Sequence, residues 1–194
     1  MTETNAYTQS PWSLKDLFNG FDDANIDATY QQMEALITNF EAYRAELQAG
    51  IPTERFLVII HAMETLEKLG YRLYGFAELS FAANTQDQKA QIAIARVQQF
   101  IADAENRTLF FSLWWKALDN ENASRLLAAS GDYRYWLEQI RNFKPYTLSE
   151  PEEKVVNIKN VTGNSALNML YDSITNRYTF KITIAGEEKE LTRG

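Results

Sequence analysis

The chain has no cysteine and only one histidine, His61, in 194 residues. Without thiols, neither disulfides nor thiolate chemistry is available. One imidazole cannot form a His-Glu-x-x-His zinc helix: Ala62 and Thr65 stand where the glutamate and second histidine would fall. The bundle pattern Glu-x-x-His for two irons fails as well, because Glu64 follows His61 instead of preceding it. There is no Gly-x-Ser-x-Gly elbow and no Gly-rich phosphate loop; the eight glycines are scattered. Basic residues are outnumbered 19 to 26, for a net charge of −7. An acidic surface repels phosphate backbones, and no basic stripe occurs, so nucleic acid is not an expected partner. No stretch approaches the roughly 20 apolar residues a bilayer span requires, so neither is a membrane. The first residues are polar and acidic, unlike a secretory signal, and the expected compartment is the cytoplasm. Residues up to about Gln9 read as a loose tail.

What is present is the material of a core. Hydrophobic residues make up 45% of the chain, with 4 Trp, 10 Tyr and 11 Phe. A domain of this length buries roughly 70% of the surface its unfolded chain exposes. The periodicity predicts a mainly α, multi-helix, bundle-like domain with a C-terminal β-hairpin. Ser13 caps a short helix ending at Gly20. A helix from about Asp27 to Gln48 carries Tyr30, Met33, Ile37, Phe40, Tyr43 and Leu47 on one stripe. Thr53 opens a longer, central helix with apolar residues from Phe56 to Leu79; a tight helix crossing would account for Gly70 and Gly75 within it. Thr85-Gln-Asp-Gln88 reads as a capping box for a third long helix to about Leu118.

Asp119 and Asp132 then cap two shorter helices, and Pro145 ends the second. Ser149-Glu-Pro-Glu152 is the clearest capping box, its acidic residues facing the positive end of the helix dipole. Gly163 breaks that helix, and Ala166 to Ile174 resumes it. Tyr178, Phe180, Ile182 and Ile184 alternate with polar residues, the mark of a half-buried strand. Ala185-Gly186 makes the turn and Glu187 to Thr192 returns. A lone hairpin is marginal in water, so this one needs a partner: the helices, a second copy, or further polypeptide.

Candidate chemistry is sparse. No residue reads as catalytic or as a metal ligand. Tyr133, Arg134, Tyr135 and Arg141 can present hydroxyls and guanidinium groups to a peptide carboxylate, or can form local ion pairs such as Glu138 with Arg141 on a surface helix. Phe110, Phe111, Trp114 and Trp115 form an aromatic cluster, read as core rather than peptide-binding wall; neighbouring Trp114 and Trp115 cannot face the same way, so one is peripheral. Tyr178 and Phe180 are candidates for contact with another domain. A carboxylate-using hydrolase would need two acids in one pocket, one of them with a raised pKa.

Several stretches carry a family likeness. They are Trp12-Ser-Leu-Lys-Asp-Leu-Phe18, Tyr71-Arg-Leu-Tyr74-Gly-Phe-Ala-Glu-Leu with the Thr-x-Asp step at Thr85, and above all Tyr135-Trp-Leu-Glu-Gln-Ile-Arg141, Leu148-Ser-Glu-Pro-Glu-Glu-Lys154 and Thr162-Gly163. Together they resemble the N-terminal lobe of oligoendopeptidase F and its relatives, zinc metallopeptidases of the thimet-oligopeptidase family. The resemblance implies that residues 1–175 form the helical lobe and 176–194 a hairpin leading toward a catalytic domain beyond this chain. It implies short peptides as substrates and places zinc, His-Glu-x-x-His and the water-activating Glu downstream. No cofactor is expected in this chain itself, and no catalytic residue carries over. The rival reading is a stand-alone helical module that dimerises through its hairpin edge.

Overall fold

The computed structural model describes residues 12–184 and 186–192. The expected tail and the turn residue Ala185 lie outside them. The mainly helical architecture with a C-terminal hairpin is as predicted. Helix α1 spans Ala24–Glu41 and continues as a 3-10 turn to Glu46. Helices α2 (Thr53–Ala83) and α3 (Gln88–Ala117) are the long central pair, followed by the short α4 (Asn120–Ala128) and α5 (Arg134–Asn142). Helix α6 (Glu150–Asn160) passes through a π-helical turn, Val161–Ser165, into α7 (Ala166–Thr175). Strands β1 (Thr179–Ile184) and β2 (Glu187–Thr192) pair antiparallel, with Phe180 opposite Leu191 and Ile184 opposite Glu187.

The stripe predicted on α1 is the one that packs: Tyr30, Met33, Ile37 and Phe40 are buried against α2 and α3. The core has two parts. One gathers Phe40, Phe56, Phe111 and Trp115 with Leu137 of α5; the other gathers Phe18, Met33, Leu73, Phe76 and Ile94. Trp115 is fully buried and Trp114 only partly, as the 100° offset of neighbours requires. Arg107 locks α3 to α1 through Glu34 at 2.6 Å and Glu41 at 2.8 Å.

Several local signals resolve differently. Residues 15–17 form a turn and no helix follows Ser13. Helix α1 starts three residues earlier than expected, because Asp23 caps it by accepting from the Asn25 N–H at 2.9 Å. The cap of α3 is Asp87, not Thr85: Asn84 turns the chain by accepting from the Gln86 N–H, and Asp87 then accepts from Lys89. Asp132 sits in a 3-10 turn begun by Gly131 at φ +51°, so α5 starts without a side-chain cap. Neither central glycine marks a tight crossing: a Cβ on Gly70 or Gly75 would meet its nearest side chain at 3.5 or 3.9 Å, ordinary contact distances. Gly163 does not end a helix; the π turn absorbs it and the chain stays helical from Glu150 to Thr175. The Asp119 cap and the Ser149–Glu152 capping box form as expected.

The Asp23 cap has a pH signature. Backbone N–H groups of Asn19 and Asn25 hold its carboxyl down at about 2. A folded-state pKa below the unfolded value of ~3.9 means the cap stabilises fully above that value and fades as pH falls toward 2. The melting-temperature gap between the native chain and Asp23→Ala is therefore expected to narrow as pH drops from 5 to 2; a gap constant over that range would contradict it.

Candidate functional site

Tyr133, Arg134, Tyr135 and Arg141 all lie on or beside α5, but they do different things. The Tyr133 hydroxyl donates to Glu64 at 2.7 Å and lies 3.0 Å from His61 Nδ1, with the two rings edge to face. Lys68 holds the same Glu64 at 2.8 Å. Arg134 pairs with Glu138 one turn along, so Glu138 does not pair with Arg141. Arg141 reaches inward. It donates to the carbonyls of Trp115 and Leu118 and to Asn120, tying α5 to the C-terminal end of α3. Its guanidinium also lies over the Trp115 ring. Tyr135 projects into solvent, 72% exposed, and Arg134 is exposed as well. The structure thus gathers Tyr133, His61 and Glu64 into one polar cluster and draws Arg141 out of the group to brace α3. A sequence gives no sign that His61 and Tyr133, 72 positions apart, would meet.

Among the described residues no group of three or more His, Cys, Asp or Glu is arranged to hold a metal. Two carboxylates do share a pocket, however. Glu67 of α2 and Glu105 of α3 line a cavity of about 250 Å³ with Met33, Ile37, Met63 and Leu66. Both side chains reach water at its mouth. Apolar surroundings push the Glu67 carboxyl above its usual range; burial first, then the charge of Glu67, pushes Glu105 up too.

The most extensive feature is at the C-terminal end. The continuous helix from Glu150 to Thr175 buries a single residue among those described, Thr175. One side packs on α3, where Asn157 donates to Asn106 at 3.0 Å, and Met169 touches the second part of the core. On α7, Leu167, Leu170 and Ile174 follow helical spacing into solvent. The hairpin continues the pattern. Phe180, Ile182 and Ile184 share one face with Leu191, Lys189 and Glu187, and the four apolar residues are about half exposed. Its other face is polar, with Lys181 and Glu188 paired at 2.8 Å. Among the described residues, neither strand has a second neighbour in the sheet. A helix stripe and a strand face that alternate correctly and stay about half exposed have the form of a docking surface.

These features define a class: a helical domain that carries a C-terminal arm with a half-exposed apolar face. Residues 114–180, about a third of the chain, match a family model for the N-terminal domain of M3 peptidases, described as Oligopeptidase F. Over those residues the chain is similar to the N-terminal lobe of oligoendopeptidase F-like peptidases. The match includes α5, the capping box, α7 and the first residues of β1. An N-terminal-domain family of peptidases implies a catalytic domain C-terminal to it. No curated protein matched the chain, and no solved structure did. No helix among the described residues is long and apolar enough to cross a membrane.

Proposed function

We propose that this chain is the non-catalytic, substrate-enclosing lobe of a zinc-dependent oligoendopeptidase that hydrolyses short peptides. The observation that carries the proposal is the uncovered apolar arm, α7 with the hairpin, inside and next to the family-matched segment. Its natural cover is the catalytic domain. Tyr178 and Phe180, both exposed, would be buried in that contact. Docked there, the helical body roofs a cleft that admits unfolded peptides and shuts out water when the lobes close. Tyr133, Arg134 and Tyr135 would face the peptide, with Arg141 holding α5 in place behind them. Zinc and the base that activates water would belong to the other domain. Cytoplasmic residence is part of the same proposal, and cell fractionation tests it.

The chain alone should neither retain zinc nor cut peptides. Purified metal-free and re-supplied with one equivalent of zinc, it is expected to hold far less than one ion after dialysis and to leave a quenched oligopeptide intact. One tightly held zinc per chain, or cleavage that a chelator stops, would overturn the proposal.

A further inference from the structure

The cavity between α1, α2 and α3 has features the peptidase reading does not use. Its walls are apolar, from Met33, Ile37, Met63, Leu66 and Ile101, and among the described residues its only charged lining groups are the carboxylates of Glu67 and Glu105. Most other glutamates that reach across elements are paired: Glu34 and Glu41 with Arg107, Glu46 with Arg55, Glu150 with Arg44. Among the described residues, Glu67 and Glu105 have no ion-pair partner, and no Lys or Arg lines their cavity. Two anions thus stand at one apolar pocket without a counter-charge. Both reach water at the mouth, and a cation bound there would be drawn by two negative charges that no basic lining residue offsets.

A metal ion is the poorer candidate. Two carboxylates in an apolar cavity fall short of the oxygen ligands that calcium or magnesium takes, and no third acid joins them among the described residues. A primary ammonium needs only acceptors for its N–H groups, and carboxylates accept strongly. The aromatic rings of Tyr71 and Tyr74, also in the lining, favour a cation beside them. The volume, about 250 Å³, exceeds the ~150 Å³ that an apolar cavity needs to take benzene, which leaves room for a substituent on the ammonium. A second cavity of about 170 Å³ shares Tyr74, Ile101 and Glu105 with the first and adds Gln98, Asn157 and Asn160. The π turn borders it through Val161 and Ser165. π turns inside helices are frequent at functional sites. An apolar, anionic cavity therefore borders an amide-lined one, with Tyr74, Ile101 and Glu105 lining both.

We propose that the first cavity binds a primary ammonium bearing an apolar group, with the ammonium held by Glu67 and Glu105 and the apolar group against Met33, Ile37, Met63 and Leu66. Two sources offer that chemistry: the amino terminus of a peptide with an apolar first residue, and a free alkyl or aralkyl amine. The site is complete within the described residues and does not depend on a catalytic domain.

Methionine-methyl NMR of the full chain tests it, because Met33 and Met63 line the cavity and Met169 does not. The probes are phenethylammonium, its neutral analogue 2-phenylethanol, and Leu-Gly-Gly with and without N-acetylation. Saturable shifts of the Met33 and Met63 methyls are expected with phenethylammonium, at least ~10-fold tighter than with the alcohol. The double variant Glu67→Gln, Glu105→Gln should weaken binding by a similar factor. Binding of Leu-Gly-Gly but not its acetylated form assigns the peptide source; binding of the amine alone assigns the other. Equal affinity for amine and alcohol, or saturable shifts confined to Met169, would overturn the proposal. The amine–alcohol comparison on the native chain decides even if the variant fails to fold. Failure here would leave the uncovered arm and the peptidase reading untouched.

Discussion

Trp115→Ala is expected to destabilise the domain by about 3–5 kcal/mol, the range for removing a large aromatic residue from a core. The residue has no solvent exposure and stacks on Phe56 with ring centres 5.4 Å apart. Its indole N–H donates to the Leu137 carbonyl at 2.9 Å, a buried bond worth about 1 kcal/mol within that total. Arg141 rests over the same ring. The substitution therefore loosens the seat of α5 as well as leaving a void. Domains are stable by only about 5–15 kcal/mol, so the variant should unfold at a much lower urea concentration. Trp114→Ala, at a partly buried position, should cost clearly less. Urea titrations of both variants check this, and a loss under about 1 kcal/mol at Trp115 would contradict the described packing.

The second large effect is one the chain alone should barely feel. Leu170→Glu combined with Phe180→Glu places two charges on surface that is already wet, since the side chains are 55% and 53% exposed. Stability of the isolated chain should change by no more than about 0.5 kcal/mol per site. In an assembled peptidase the same two residues would be covered. Burying an unpaired carboxylate is costly, so association between lobe and catalytic domain should weaken by at least ~100-fold, with peptidase activity falling in step. Silence in the lobe and collapse in the assembly is the pattern of a docking face. If a second copy covers the arm instead, the native chain will associate as its concentration rises and the double variant will stay monomeric; sedimentation distinguishes the two. No effect on either association would refute the docking role of the arm.

Much of the fold was legible because apolar spacing and burial agree. Met33, Ile37 and Phe40 recur at steps of three and four, and they are among the most deeply buried residues. The limits of that signal show at Leu79, which belongs to the apolar run of α2 by spacing but is 46% exposed. Helix starts were harder. Thr85 and Asp87 are both competent caps, and the choice went to the one following the Asn84 turn, which a residue preference alone does not rank. Gly163 reads as a break, yet a π turn keeps the chain helical there. The uncovered face of the hairpin was visible as a strict alternation at Phe180, Ile182 and Ile184, which had no obvious partner within the chain. The Glu67–Glu105 pocket left no trace in sequence. Its two acids sit on different helices, 38 positions apart, and only the packing of α2 on α3 brings them together.

Hydrogen exchange on residues 166–192, followed in the chain alone and again with the catalytic domain of its peptidase bound, bears most directly on the proposed role. Slowed exchange across β1, β2 and the C-terminal turns of α7 is the result expected when the arm is covered. Identical exchange in both samples would mean the arm is not where the lobe meets its enzyme.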